Sequence, residues 1–135
     1  MASLIYGPNL YLVVNNFYGS GTFRMMLVTS AYTPDEDAHD FRNDVTNEVT
    51  GTGYSAGGNT VTPTVTHNTA SNNVTVAWSA VTWPASTITA RAGVIYKSIG
   101  SPATDNLCQY VDFTSDISST AATFTANAGT QTYQR

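Results

Sequence analysis

The sequence predicts a mainly β protein, an antiparallel β-sandwich of immunoglobulin-like or jelly-roll-like type with one short early helix. Three observations point there. Apolar and polar residues alternate with period two through Val74-Thr75-Val76-Ala77-Trp78 and again from Thr87 to Lys97. Clusters of Gly, Pro and Asn separate the β-prone runs at short intervals. Only one stretch, Thr33 to Asn43, opens with the signals of a helix N-terminus.

In chain order, Tyr11 to Val14 and Thr22 to Val28 read as two strands joined across Asn15-Asn16 and Gly19-Ser20-Gly21. The second is apolar on both faces from Met25 to Val28, which predicts a central strand. The helix follows. Thr33 is placed to cap it, with Pro34 at the first helical position, Glu36 three residues past the cap, and further acids in the first turn, ending near Asn43.

Gly51, Gly53, Gly57 and Gly58 then mark a corner of tight turns. It is not a phosphate cradle, because the chain continues into the extended run Asn59 to Thr66 instead of a helix. Pro63 cannot donate to a ladder, so that run is expected as an edge strand or a broken one. Asn72-Asn73 turns the chain into Val74 to Trp78.

The longest strand follows Trp83-Pro84, with Ile88, Ala90, Ala92, Val94 and Tyr96 on one face and Arg91 and Lys97 on the outward face. A turn at Gly100-Ser101-Pro102 leads to a strand with Leu107, Gln109, Val111 and Phe113 on one face. A last Thr-rich strand, Ser118 to Ala126, surrounds Phe124.

The 135 residues fit one β domain, with residues 1–20 expected as an extended N-terminal arm. Charged residues make up 10% of the chain, against about 25% in an average soluble domain. Such a surface suits a protein that ends up packed against neighbours, and a small extracellular β domain can look the same. The net charge of −4 and the scattering of Arg24, Arg42, Arg91, Lys97 and Arg135 argue against a nucleic-acid binder, which needs clustered cations. Cys108 is the only cysteine, so no internal disulfide can form, and its context is that of a small core residue. The opening Met-Ala-Ser-Leu-Ile-Tyr-Gly-Pro lacks a basic segment and its apolar run stops at Pro8, which does not read as a signal peptide. No apolar stretch approaches membrane-spanning length.

Candidate chemistry is sparse. Asp35, Glu36, Asp37, His39, Asp40, Asp44 and Glu48 form the one cluster with ligand-type side chains, but no alternating acidic loop is present to wrap a cation, and capping accounts for the charges. No nucleophile elbow is present, and the acids do not flank a cleft as paired glycosidase carboxylates do. No catalytic residue, cofactor or metal is therefore expected. Trp78, Trp83, Tyr54, Tyr96 and Tyr110 could build a sugar-stacking platform; inward placement of Trp78 and packing of Trp83 at the start of a strand make core use the stronger reading.

The corner Thr46-Asn47-Glu48-Val49-Thr50-Gly51-Thr52-Gly53-Tyr54-Ser55-Ala56-Gly57-Gly58, followed by Val81-Thr82-Trp83-Pro84-Ala85-Ser86-Thr87-Ile88-Thr89-Ala90-Arg91 and Val94-Ile95-Tyr96-Lys97, resembles a family of small virion structural proteins of tailed bacteriophages. The resemblance runs from about Thr22 to Phe124. It implies a capsid decoration or cement protein, made in the host bacterial cytoplasm and located on the virion. Its partner would be the major capsid protein, and it would self-associate, as a homotrimer. Tail placement and a carbohydrate-binding or host-surface-binding β module are the competing roles. Lattice contacts are expected from the N-terminal segment, at Tyr6, Tyr11 and Phe17, and from the glycine corner, at Gly53, Tyr54 and Gly57, because termini and loops carry such contacts more readily than sheet faces.

Overall fold

The computed structural model describes residues 3–134. Its elements are α1 (Gly7–Tyr18), β1 (Thr22–Val28), β2 (Asn59–Val61), β3 (Pro63–Asn68), β4 (Asn73–Trp78), β5 (Val81–Ser98), β6 (Asn106–Ala126) and β7 (Thr130–Gln134). They form two antiparallel sheets, ordered β2-β1-β5-β6 and β3-β4-β7, as a β-sandwich requires.

The main core lies between the sheets. Phe23, Met25 and Leu27 of β1 and Ile95 of β5 face Val74, Val76 and Trp78 of β4, and the rings of Phe23 and Trp78 meet edge to face at 5.5 Å. The intervening residues Met26 and Val28, with Ala92, Val94 and Tyr96, lie on the outer face of the larger sheet. The segment between β1 and β2 covers that face, through Tyr32 and Val45 and single bridges from Glu48 to Val28 and from Phe41 to Asn106. As expected, β1 is a central strand, and the Pro63 run is broken at Thr62 into two strands, each at a sheet edge.

The helix is not where the capping signals placed it. Residues 34–43 contain a turn at Glu36–Ala38 and the start of a three-residue 3-10 turn, Arg42–Asp44. Asp35, not Thr33, accepts the Asp37 and Ala38 N–H groups through its side chain, at 3.1 and 3.0 Å. Capping groups alone cannot propagate a short helix; a buried apolar stripe must hold it, and this segment has none. That stripe exists instead at Gly7–Tyr18, read above as strand and arm. Leu10, Tyr11, Val14, Phe17 and Tyr18 recur at helical spacing and face the core, with Pro8 in the first turn. The helix packs on β3 and β4, and Tyr11 stacks on His67 of β3 at 6.0 Å. Its last turn reaches the other sheet and β7: the Tyr18 hydroxyl shares a 2.8 Å hydrogen bond with that of Tyr133.

Irregularities in the β5–β6 hairpin overturn the simple alternation. Ala85, Thr114 and Ala121 have positive φ, and the register shifts between Trp83 and Ser86, Ser86 and Ile88, Ala90 and Ala92, and Ile95 and Tyr96. Ile88 and Ala90 therefore belong to the main core, whereas Ala92, Val94 and Tyr96 belong to the outer cluster. Lys97 is half-buried against α1, and Arg91 pairs with Asp112 at 3.1 Å. The two runs read as separate strands, from Leu107 and from Ser118, are one strand bent at Thr114.

Candidate functional site

Charge is distributed unevenly. No charged side chain occurs in residues 3–23, 49–90 or 117–134. Within the described residues, α1 and the whole β3-β4-β7 sheet are therefore uncharged, while β1, β5, β6 and the loops beside them carry every ionic group. On the outer face of the small sheet, Thr66, Thr75 and Thr132 pair across three strands, next to a row of Thr64, Ala77 and Thr130. This face points away from α1, which packs on the face bearing His67 and Tyr133.

The outward side of α1 and the residues leading into it are apolar. Of seven exposed large hydrophobic side chains among the described residues, five lie here: Leu4, Ile5, Tyr6, Leu12 and Val13. Leu4 and Tyr6 are 73% and 74% exposed. Asn9 and Asn16 flank Leu12 and Val13 on the exposed side. The result is an uncharged, largely apolar N-terminal protrusion.

The expected contact residues divide by environment. Tyr6 is open to solvent, but Tyr11 and Phe17 face inward and dock the helix. Phe17 packs edge to face on Tyr18 and Phe23, at 4.8 and 5.9 Å, beneath the Lys97 ammonium, which lies 4.4 Å from its ring centre and donates to its carbonyl. In the glycine corner, Tyr54 is half-buried; its hydroxyl donates to Glu48 at 2.6 Å and accepts the Leu27 N–H at 2.9 Å. Glu48 also accepts the Gly57 N–H at 2.7 Å, and the Gly57 carbonyl accepts from Tyr96 and Arg24. Gly53 has φ +84 and sits so close to Ser86 that a side chain would collide with its Cα. Gly57 is buried, whereas Gly53 is exposed. The corner is stitched to the larger sheet, separate from the helix that carries Tyr6. Sequence reasoning missed Leu4, Leu12 and Val13 as surface residues because Leu12 and Val13 were assigned to a strand; the spacing of Val14, Phe17 and Tyr18 was the signal that they belong to the outer side of a helix.

A second feature is a shallow cleft on the outer face of the larger sheet, lined by Tyr32, Asp35, Glu36, His39, Leu107, Cys108 and Tyr110 among others; about 210 Å³ lies over Val94 and Leu107, and the cleft opens over Asp35, His39, Cys108 and Tyr110 into a wider space of about 850 Å³. Tyr32 stacks on His39 at 5.8 Å and approaches Tyr110 at 6.2 Å. Burial, then the neighbouring Tyr110 and acidic groups, raises the Tyr32 hydroxyl above the ordinary phenol range.

No group of three His, Cys, Asp or Glu side chains is arranged to hold a metal among the described residues. The acids that helical spacing would have paired are not paired: Asp44 instead accepts the Asp40 and Phe41 N–H groups at 3.0 and 3.3 Å, bonds that hold its carboxyl below the usual range. Cys108 is pushed up to about 12, chiefly by burial, so it is a thiol at neutral pH. Trp83 and Tyr96 are each 1% exposed and Trp78 is buried, which removes the tryptophan-based sugar platform. Among the described residues, no helix is long and apolar enough to cross a membrane. No protein-family model, curated protein or solved structure matches the chain.

Proposed function

We propose that this protein is a non-enzymatic structural component of a tailed-phage virion, a decoration or cement protein that binds the major capsid protein lattice and stabilises the head. The observation that carries the binding role is the uncharged apolar protrusion of Leu4, Ile5, Tyr6, Leu12 and Val13. Surfaces depleted of charge and rich in exposed aromatic and aliphatic groups are the kind that proteins bury against one another. The resemblance at Glu48 to Gly58 and Trp83 to Lys97 supports the capsid as the partner.

The magnitudes favour collective binding. Full burial of five such side chains contributes about 1.5–3 kcal/mol each, while association costs about 4–15 kcal/mol. One copy thus binds weakly. A homotrimer engaging several capsid subunits gains about 10²–10⁴ in avidity, and opening the shell then requires breaking several contacts together. The Thr-lined face, uncharged and pointing the other way, leaves a second neutral surface for neighbouring copies.

Co-sedimentation with capsids lacking the protein tests this reading. Wild type should sediment with the particles, and a Leu12→Glu, Val13→Glu double variant of unchanged fold should lose at least about 100-fold in affinity. Undiminished binding by the variant would reject the contact face; failure of wild type to bind heads would reject the assignment.

A further inference from the structure

We propose that the cleft between residues 32–39 and β5–β6 is a binding site for a sugar, held through a neutral hydroxylated ring. Two features select this ligand class. The floor is amphipathic: Val94 and Leu107 lie beside the rings of Tyr32, His39 and Tyr110, which suits the C–H face of a pyranose. The polar groups supply both donors and acceptors. His39 Nδ1 lies 3.3 Å from the Asp35 N–H and 3.0 Å from the Tyr32 hydroxyl. His39 Nε2 and the Tyr110 hydroxyl have no hydrogen-bond partner among the described residues and are the groups left to donate.

Acceptors come from Glu36, which is exposed, and from the second oxygen of Asp35, whose Oδ1 is occupied by the Asp37 and Ala38 N–H groups. A sugar hydroxyl both donates and accepts, and so uses both sets. A cation would be drawn to the carboxylates, since no Lys or Arg lines the cleft, but it would leave the donors facing its charge. The site lies on the sheet face opposite the inter-sheet core and involves none of the apolar residues of the N-terminal protrusion.

Saturation-transfer NMR of the full chain with methyl glycosides of glucose, galactose, mannose, N-acetylglucosamine and rhamnose tests the site. At least one should bind saturably, with affinity indifferent to salt between 50 and 500 mM. Tyr110→Ala should weaken it more than tenfold, and Glu36→Ala, at an exposed position outside any core, about tenfold without disturbing the fold. Absence of transfer from all five, or binding unaffected by Glu36→Ala, would overturn the proposal. So would tighter, salt-sensitive binding of N-acetylarginine amide, which would make the cleft a cation site.

Discussion

Lys97 sits where three elements meet. Its ammonium lies 4.4 and 5.4 Å from the ring centres of Phe17 and Phe23 and donates to the Phe17 carbonyl, in the last turn of α1. That position suits a cation, because a helix C-terminus presents unsatisfied carbonyls and partial negative charge. Lys97→Ala should therefore cost about 1–2 kcal/mol in urea denaturation; a change below about 0.3 kcal/mol would show that the contact is not stabilising. Alternation alone put Lys97 on an outward face, and nothing in the linear pattern revealed the helix that folds over it. Cys108 is a mixed case: its apolar context and the lack of a partner cysteine suggest a core residue, and the side chain does pack against the core, but it is only half-buried and also lines the cleft. Iodoacetamide at pH 8 should alkylate it far more slowly in the native protein than in denaturant. Equal labelling in both, read by mass spectrometry, would contradict a thiol pushed up to about 12.

Among the elements, the strands were legible and the helix was not. Val74 to Trp78 alternates because one face is buried, and β4 has that pattern, with Val74, Val76 and Trp78 inside. Leu12-Val13-Val14 has the local preference of a strand, yet Val14 belongs to the stripe that meets β3 and β4. Tertiary burial overrides propensity there, just as its absence undoes the capped segment at 34–43. The two faces of α1 give a paired test. Val14→Ala should destabilise by about 2 kcal/mol, whereas Val13→Ala should stay within about 0.5 kcal/mol. Equal effects would mean that the helix is rotated or absent. The glycine corner was legible as turns, and Gly58 shows why one of them admits no side chain. At φ +75 a Cβ would collide with the Met25 carbonyl, backbone that cannot swing aside. Gly58→Ala should cost about 3 kcal/mol or more and deplete the soluble fraction; wild-type melting behaviour would contradict the tight approach of corner and β1.

At the scale of the whole molecule, buried phenols and the thiol set the alkaline limit. Tyr18 and Tyr54 are held well above the phenol range, first by burial and then by hydrogen bonds to Tyr133 and Glu48, and Cys108 is raised by burial. Each folded value exceeds the unfolded one, so their contribution is complete below the ordinary values of 9.0 for the thiol and 10.0 for the phenols and is lost as pH rises through the folded values. The melting temperature should fall steadily above about pH 9; a flat profile to pH 11 would show that these groups titrate freely. Asp44 and Asp112 act with the opposite sign. Backbone N–H groups hold both below the carboxylate value of 3.8, with Arg91 also favouring the Asp112 anion, so their contribution is lost only as pH falls below that value. The segregation of charge at this scale was readable in the linear sequence as long uncharged runs, but their convergence on one helix and one sheet depended on strand order, which periodicity does not encode. The proposed capsid-surface role takes its binding surface from the exposed apolar residues Leu4 to Val13 and its partner from the resemblance at Glu48 to Gly58 and Trp83 to Lys97. The most direct test is its position and orientation in an imaged virion. The account predicts copies on the outside of the head where capsid subunits meet, with Leu4 to Val13 buried against the shell. Density confined to the tail, or copies on the head with that segment facing solvent, would contradict it.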